Sequence, residues 1–369
     1  MPISEVLQDA QIEHALDLVK YGNDRSRSLL PFLRQIVDYL EARLAREGES
    51  IQSKKRLNIL LKDVNEKLNA IYSEWEKKEF GPIIPAVAKQ EIAFQASAVN
   101  SVVVGYESVK PALKQVESAA FNNPLLIGSK GGAVDFRKYT KNWKPAEIQR
   151  IANRISAGFY AGETTTQIAR AVNGLKSRNY ADGVMNMSRA NIQGMVKTTI
   201  SHMASAGKSE FAKENDDLII GEEWVSTLDS ATSPTCRARD GKQYLFSQYG
   251  RNYPRPPAHI NCRSSLSPIL SPEYDFAREG RKRPAVTEVD GKAKAEQVSG
   301  STTYYQWLKR QPAPVQDKAL GATQGKVFRN AGLTTEEFKK ATVNSLGQPL
   351  SLKDMERNNK KIAKYLAKQ

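Results

Sequence analysis

Residues 224–270 constrain the fold more than any other part of the chain, because they hold the residues that a regular helix tolerates least. This segment contains both cysteines of the protein, Cys236 and Cys262, one of its three histidines, His259, and a dense set of prolines, glycines and arginines. Runs of strand-forming residues alternate there with residues that favour turns. The pattern predicts a compact, irregular β module whose two ends meet through Cys236 and the pair formed by His259 and Cys262.

Helical patterns fill most of the chain before this segment. Two apolar stripes recur at spacings of three and four residues, so they predict two amphipathic helices joined by a polar turn. A longer helix is predicted over residues 188–213, and the alternation in residues 218–226 predicts a strand. The first stripe consists of Leu29, Leu33, Ile36, Leu40 and Leu44, and the second of Leu57, Leu61, Val64, Leu68, Ile71 and Trp75.

These patterns predict a fold that is mostly α with a small irregular β-rich module, an α+β arrangement. The chain length leads us to expect two or three structural units. We expect an N-terminal helical arm (1–121), a loop joint (122–144), a core of helices plus the β-hairpin and loop unit (145–270), a basic flexible linker (271–301) and a short basic C-terminal module with helices (302–369).

The composition points to a partner with negative charge. Lys and Arg number 55 against 40 Asp and Glu, which gives a formal net charge of +15. A surplus of this size attracts polyanions, of which nucleic acid is the commonest, and a solvated basic face is the alternative. The candidate contacts with phosphate or with an acidic partner are Arg251, Arg255, Arg281, Lys282, Arg283, Lys360, Lys361 and Lys364.

The cysteine content and the hydropathy set the expected compartment. Two cysteines do not form the disulfide framework of a small secreted protein. The first ten residues carry no signal-peptide pattern, and no apolar run approaches the roughly 18 residues of a membrane-spanning helix. We therefore expect no membrane anchor and folding in a reducing cytoplasm.

The order of motifs in the central segment resembles a known family. Trp-x-Ser-x-x-Asp, Thr-Cys, Asp-Gly and Pro-Pro-x-His-x-x-Cys-Arg follow one another between Trp224 and Arg263. This order resembles the phage head morphogenesis family, minor head proteins similar to protein F of phage Mu, over about residues 148–270. Residues 305–312 resemble a segment that often follows this core. The structural site that the resemblance implies consists of Trp224, Asp229, Cys236, Pro257, His259, Cys262 and Arg263.

The resemblance implies a function in the virion. The chain would be a minor head protein of a tailed bacteriophage, made in the host cytoplasm and placed in the phage head near the portal vertex. Its partners would be the portal protein, the major capsid protein and the packaged double-stranded DNA. It would act in procapsid assembly and in DNA packaging or ejection, by binding rather than by catalysis.

The chain departs from the family pattern at two positions. Family members often carry Cys-x-x-Cys before the turn and Cys-Arg-Cys at the end of the segment. Arg239 and Ser264 stand where the second and the last of these cysteines would be. A zinc site with four thiolates is therefore impossible in this chain.

Three interpretations remain open for Cys236, His259 and Cys262. The first is a zinc site completed by Asp229, by Asp240 or by water. The second is a disulfide between the two cysteines. The third is a pair of buried thiols beside a histidine that hydrogen-bonds the backbone. The third is the one that we expect, so no cofactor is predicted and zinc is the alternative.

Two other classes of function compete with the resemblance. Asp240 and Gly241 with His259 and Asn261 are similar to the start of a His-Asn-His nuclease, but no histidine follows Asn261 to complete a metal site. A thiol enzyme would need Cys262 and His259 to align, with a third group to orient the imidazole. A non-specific DNA-binding protein without a role in the capsid is the third alternative. We expect no enzymatic activity.

Overall fold

The computed structural model describes residues 3–103, 105–127, 132–178, 180–274, 282–289, 292–344 and 348–369. Within these ranges the chain is mostly helical and carries two small antiparallel sheets, so the predicted fold class is confirmed. Arg281, one of the predicted phosphate contacts, lies outside the described residues.

The N-terminal part is a bundle of long helices. The two predicted apolar stripes lie on α2 and α3, except that Leu60 rather than Leu61 is fully buried in α3. Leu60 is three residues from Leu57 and four from Val64, so it fits the helical spacing as well as Leu61 does. The helices are α1 (Ile3–Arg27), α2 (Leu30–Ala45), α3 (Lys54–Trp75), α4 (Ile83–Val102), α5 (Leu113–Asn122), α6 (Phe136–Tyr160), α7 (Thr165–Asn173) and α8 (Val184–Glu214).

Helix α1 escapes the sequence patterns because the face that it buries is partly polar. Gln11 hydrogen-bonds Gln95 of α4 at 2.7 Å, and His14 contacts Glu91 of α4 at 2.7 Å. Lys208 of α8 donates to the side-chain oxygen of Gln11 at 2.7 Å. All five side chains are buried, so a polar network joins α1, α4 and α8.

Helix α8 is the centre of the bundle and agrees with the helix predicted over residues 188–213. It packs against α1, α4, α5, α6, α7 and the strand Ser265–Leu270. Most of its surface is buried, and its apolar residues join the main core cluster. The β module is built directly onto this helix.

The β module is a three-stranded antiparallel sheet in the order β2-β1-β3. Its strands are β1 (Ile219–Val225), β2 (Gln243–Leu245) and β3 (Ser265–Leu270). The strand predicted over residues 218–226 corresponds to β1, and Gly221 of β1 lies opposite Leu245 of β2. Gly221 has to lack a side chain, because a Cβ there would lie 2.8 Å from the carbonyl oxygen of Tyr244.

Two short helices interrupt the module, α9 (Pro234–Arg239) and α10 (Phe246–Tyr249). The segment that contains α9 reads as a turn in the sequence, yet it forms one helical turn that carries Cys236. Ser233 caps this helix by accepting a hydrogen bond from the Cys236 backbone N–H at 3.3 Å, and Pro234 lies at its first position. Both are favoured start signals for a helix.

The predicted loop joint over residues 122–144 is wrong in its second half, because α6 begins at Phe136. Asp135 caps the helix by accepting a hydrogen bond from the Lys138 backbone N–H at 2.8 Å. Pro145, the first residue of the predicted core, lies inside α6.

The predicted flexible linker over residues 271–301 is also wrong, because much of it forms a β-hairpin. Strands β4 (Lys282–Val289) and β5 (Lys292–Ser299) pair along their whole length. The side chains of both strands are mostly polar, so the sequence shows no apolar pattern that would predict strands. The hairpin is held together by its ladder of backbone hydrogen bonds. The Val286 backbone N–H also donates to the carbonyl oxygen of Leu228 at 2.8 Å, which attaches the hairpin to the β module.

The C-terminal module consists of short helices around an aromatic core. Tyr305, Phe328 and Phe338 pack together there, and Thr334 caps the helix that follows it through reciprocal hydrogen bonds with Glu337. Among the described residues, no helix combines the length and apolarity needed to cross a bilayer. The helices are α11 (Tyr304–Lys309), α12 (Ala313–Leu320), α13 (Ala322–Asn330), α14 (Thr335–Ala341), α15 (Leu352–Asn358) and α16 (Lys360–Leu366).

Candidate functional site

The fold brings Cys236, His259 and Cys262 together in the β module. Helix α9 supplies Cys236, and the loop before β3 supplies the other two residues. The Sγ atom of Cys236 lies 3.2 Å from Nε2 of His259 and 3.7 Å from Sγ of Cys262. The three donor atoms all lie within 4.8 Å of one another, and both cysteines are free thiols.

The imidazole of His259 has a defined orientation. Its Nδ1 lies 2.9 Å from the backbone carbonyl oxygen of Ile260, so Nδ1 carries the proton that it donates there. Nε2 is left with a lone pair that faces Cys236. Burial lowers the pKa of His259, but hydrogen bonding and charge attraction from Cys262 outweigh this effect and raise the pKa above its ordinary value.

The two cysteines differ in pKa. The hydrogen bond from Cys236, together with the nearby His259, holds the pKa of Cys262 well below its ordinary value. The same hydrogen bond, reinforced by burial, raises the pKa of Cys236 well above its ordinary value. Of the two side chains, Cys262 is therefore the one that loses its proton more readily.

The loop that carries His259 and Cys262 lies close against α8. Asn261 has a left-handed backbone (φ 60°), which asparagine tolerates better than most residues, and its N–H donates to Oγ1 of Thr198 at 3.3 Å. Gly194 of α8 makes this approach possible, because a Cβ there would lie 2.9 Å from a methyl carbon of Ile260. Pro257, which precedes the loop, is buried and follows a cis peptide bond.

Trp224 and two serines connect β1 to the cluster. Trp224 is completely buried, and its Nε1 donates to Oγ of Ser226 at 3.0 Å. Ser226 in turn donates to the backbone carbonyl oxygen of Cys236 at 2.8 Å, and Ser264 donates to Ser226 at 3.2 Å. Ser264, which stands in place of a family cysteine, thus supports the cluster through a hydrogen bond.

The two carboxylates considered as further metal ligands have other partners. Asp229 accepts two hydrogen bonds from Arg263, at 2.5 and 2.9 Å, and a third from Thr232. Asp240 accepts from Arg283, at 2.5 and 3.0 Å, and from two backbone N–H groups. Among the described residues, neither carboxylate belongs to the cluster of potential ligands. The alternative in which Asp229 or Asp240 completes a zinc site does not fit this arrangement.

Two of the predicted phosphate contacts have internal roles. Arg255 forms a two-pronged ion pair with Glu222 and also donates to the carbonyl oxygen of Ser205 at 3.2 Å. Burial lowers the pKa of Arg255, but the charge of Glu222 outweighs it and raises the pKa. Arg283 is buried against Asp240, so neither guanidinium is free to bind phosphate.

The other predicted contacts differ in their exposure. Arg251 is half-buried, with its guanidinium 3.7 Å from the centre of the Phe246 ring. Lys282, Lys360 and Lys364 are exposed at the surface. Lys361 is exposed as well and forms an ion pair with Glu337 at 2.9 Å.

The histidines of the chain do not assemble into a nuclease site. His14 contacts Glu91, and His202 lies 2.8 Å from the carbonyl oxygen of Ala120. Neither belongs to the cluster that contains His259. Cys236 is 1% exposed and Cys262 is 7% exposed, so both residues are buried in the β module.

The sequence patterns did not identify Glu222 as part of this module. It lies two residues before Trp224 in β1, so the alternation of the strand places both side chains on the same face. A carboxylate at a buried strand position requires a cation as partner. The buried position of Glu222 in the predicted strand could therefore have predicted an ion pair with a nearby cation such as Arg255.

Comparison with known families shows which part of the chain resembles a family. Residues 149–267 match the family model described as phage Mu protein F like protein. No curated protein and no solved structure matches the chain. The matched segment includes α7, α8, β1, β2 and the Cys236, His259 and Cys262 cluster. The resemblance found in the motifs is thereby confirmed, and over residues 149–267 the chain is similar to the phage Mu protein F-like family.

Proposed function

We propose that the protein is a minor head protein of a tailed bacteriophage. The observation that carries the proposal is the family match over residues 149–267, which supports a role in phage head morphogenesis. In this role the protein lies in the phage head near the portal vertex and binds the portal protein and the major capsid protein. It acts during procapsid assembly and in DNA packaging or ejection.

The charge distribution supports contact with the packaged double-stranded DNA. The chain has a formal net charge of +15, and exposed lysines lie on the hairpin and on the last helix. Lys282, Lys292 and Lys294 are exposed on β4 and β5, and Lys360 and Lys364 on α16. Exposed lysines bind phosphate without reading the base sequence, which suits a protein beside a packaged genome.

Binding rather than turnover is the mode of action that the central module favours. The residues of its motifs hold one another: Trp224 supports Cys236 through Ser226, and Asp229 pairs with Arg263. These contacts tie the strands and loops of the module together. The module therefore serves as a rigid support for the surfaces that meet the capsid partners.

Co-expression with the portal protein and the major capsid protein of the same phage genome tests the proposal. We expect the chain to sediment with assembled procapsids and to be absent from them when the portal protein is omitted. Sedimentation that does not change without the portal would contradict the portal contact. Absence from procapsids, with DNA binding retained, would favour a non-specific DNA-binding protein.

A further inference from the structure

We propose that Cys236, His259 and Cys262 form a zinc site with three protein ligands and a fourth position filled by water. The three side chains come from two separate segments, α9 and the loop before β3. A bound zinc ion would therefore fasten the two halves of the β module to each other. The proposal does not depend on the role of the protein in the phage head.

The distances fit tetrahedral zinc. With Zn–S bonds of about 2.3 Å and a Zn–N bond of about 2.0 Å, two sulfur ligands lie about 3.8 Å apart, and sulfur and nitrogen about 3.5 Å apart. The Sγ atoms of Cys236 and Cys262 are 3.7 Å apart, and Sγ of Cys236 is 3.2 Å from Nε2 of His259. The two pairs that include Cys236 are therefore within a few tenths of an ångström of this geometry, and Sγ of Cys262 lies within 4.8 Å of Nε2 of His259.

The orientation of His259 is that of a metal ligand. Zinc-bound histidines usually donate their second ring N–H to a carbonyl or carboxylate oxygen, which fixes the tautomer. Nδ1 of His259 makes such a bond to the carbonyl oxygen of Ile260 at 2.9 Å. This contact directs the lone pair of Nε2 toward the two sulfur atoms.

The donor types select zinc over the harder cations. Thiolate and imidazole bind zinc well, whereas Mg²⁺ and Ca²⁺ prefer oxygen ligands. Cys236 and Cys262 are both buried. The charges of two thiolates and one Zn²⁺ ion sum to zero, so the occupied site would place no net charge in the protein interior. Without the ion, two thiolates would place two negative charges there.

Space for a fourth ligand adjoins the cluster in a cavity rather than at a carboxylate. Asp229 and Asp240 are held by Arg263 and Arg283, so they do not reach the cluster. A cavity of about 540 Å³ is lined by His259 and Cys262 and continues toward α1 and α8. This space admits the water molecule that completes the tetrahedron.

The module has a structural need for such a link. Its own apolar cluster is small and includes both cysteines among its members, together with Trp224, Tyr244 and Leu266. Small units with limited cores often rely on a metal for their stability. The zinc ion would contribute to folding by joining segments that the sheet hydrogen bonds do not connect.

Metal analysis of the full chain tests the proposal. The protein is purified under reducing conditions, stripped with a chelator and titrated first with Zn²⁺ and then, in a fresh sample, with Co²⁺. We expect one zinc per chain and, with Co²⁺, the thiolate charge-transfer absorption of a tetrahedral site. Loss of a residue that only hydrogen-bonds a metal ligand typically weakens metal binding by roughly 10–100-fold. We expect a larger loss of zinc affinity in each of three ligand variants, Cys236→Ser, Cys262→Ser and His259→Ala.

Ile260→Val is the matched control, because it changes the same loop without removing a donor atom. It should bind one zinc per chain, as the unmodified protein does. Equal zinc binding by the control and by all three ligand variants would overturn the proposal, since the metal would then lie elsewhere. Circular dichroism establishes that each variant is folded before its affinity is compared.

A second measurement needs no variant. Because the proposed ion joins α9 to the loop before β3, saturating Zn²⁺ should raise the free energy of unfolding of the unmodified protein, and removal of the ion should lower it again. Equal stability with and without Zn²⁺ would overturn the proposal. A chain that takes up no zinc while its thiols are reduced, and that forms a Cys236–Cys262 disulfide on oxidation, would overturn it as well.

Discussion

Asp240 and Arg283 form a buried, two-pronged ion pair that joins three parts of the chain. The two guanidinium nitrogens lie 2.5 and 3.0 Å from the carboxylate oxygens, and the side chains are 0% and 4% exposed. The same carboxylate accepts hydrogen bonds from the backbone N–H groups of Ser226 and Tyr304. The pair thus fastens the β module, the β4–β5 hairpin and the C-terminal module at one point.

Removing Arg283 should destabilise the protein strongly. Arg283→Met leaves the Asp240 carboxylate buried with no opposite charge, and losing one partner of such a pair typically costs about 3–5 kcal/mol. Urea denaturation measures the difference in the free energy of unfolding. Arg357→Met is the matched control, because its ion pair with Asp354 is exposed and we expect little change there. Equal losses of stability in the two variants would contradict the assigned role of Arg283.

Acid should weaken the network around Glu91. Burial raises the pKa of Glu91, but the charges of Lys208 and His14, together with hydrogen bonds, outweigh this effect and hold the pKa below its ordinary value of 4.5. A carboxylate with a lowered folded pKa contributes stability above its unfolded pKa, and this contribution disappears as the pH falls through the folded pKa. The advantage of the unmodified protein over Glu91→Gln should therefore be greatest at neutral pH and shrink as the pH falls below about 4.5.

Denaturation of both proteins from about pH 7 to about pH 3 measures this difference. Glu66→Gln is the control, since the Glu66 side chain is 68% exposed and its nearest cation is 4.0 Å away. Its stability should follow that of the unmodified protein at every pH. A Glu91→Gln variant whose deficit stays constant with pH would contradict the ionised state assigned to Glu91.

A side chain at Gly221 should disturb the central sheet. In Gly221→Ala the added Cβ lies 2.8 Å from the carbonyl oxygen of Tyr244 and 3.0 Å from the Cα of Leu245, both in the backbone of the neighbouring strand. Overpacking of this kind costs about 1–3 kcal/mol, which thermal or urea denaturation detects. In Gly22→Ala of α1 the added Cβ lies 3.2 and 3.5 Å from side-chain carbons and no closer than 3.8 Å to a backbone atom, so it should not lower stability. A neutral Gly221→Ala would contradict the close pairing of β1 and β2.

DNA binding should depend on the exposed lysines of the hairpin and the last helix. Replacing Lys282, Lys360 and Lys364 by Gln should weaken binding to double-stranded DNA and reduce its dependence on salt, by about 1 in the logarithmic slope for each phosphate that a lysine no longer neutralises. The matched control replaces three exposed lysines of α3 by Gln: Lys54, Lys55 and Lys67.

Fluorescence anisotropy at several salt concentrations measures both triple variants. The control has the same net charge as the first variant. It therefore shows whether DNA binding depends on these particular lysines or only on the total charge. We expect the control to retain the slope of the unmodified protein. If both variants weaken by the same amount, the net charge alone governs binding and the assigned surface is wrong.

The regular helices could be predicted from the sequence, because their buried faces are apolar and periodic. The stripe from Leu29 to Leu44 specifies α2 without further information. Helix α1 is different, since Gln11 and His14 are buried and become intelligible only beside Gln95 and Glu91 of α4. Polar networks that span distant segments leave no periodic signal in a single sequence.

The approach of Cys236 to His259 and Cys262 could be anticipated from the order of the motifs. The internal ion pairs of the arginines could not be anticipated in this way. Arg255 and Arg283 look like surface cations among prolines and other basic residues, yet each is paired with one carboxylate, Glu222 or Asp240. Which cations are buried depends on how the hairpin and the loop pack against β1, and that packing is a property of the whole fold.

The composition of purified particles tests the central claim most directly. Quantitative mass spectrometry of heads assembled from a phage genome that carries this gene gives the copy number of the protein relative to the major capsid protein. We predict that the protein is present in a few copies per particle and that it is missing from particles assembled without the portal protein. Particles that package DNA normally and contain none of this protein would contradict its assignment as a minor head protein.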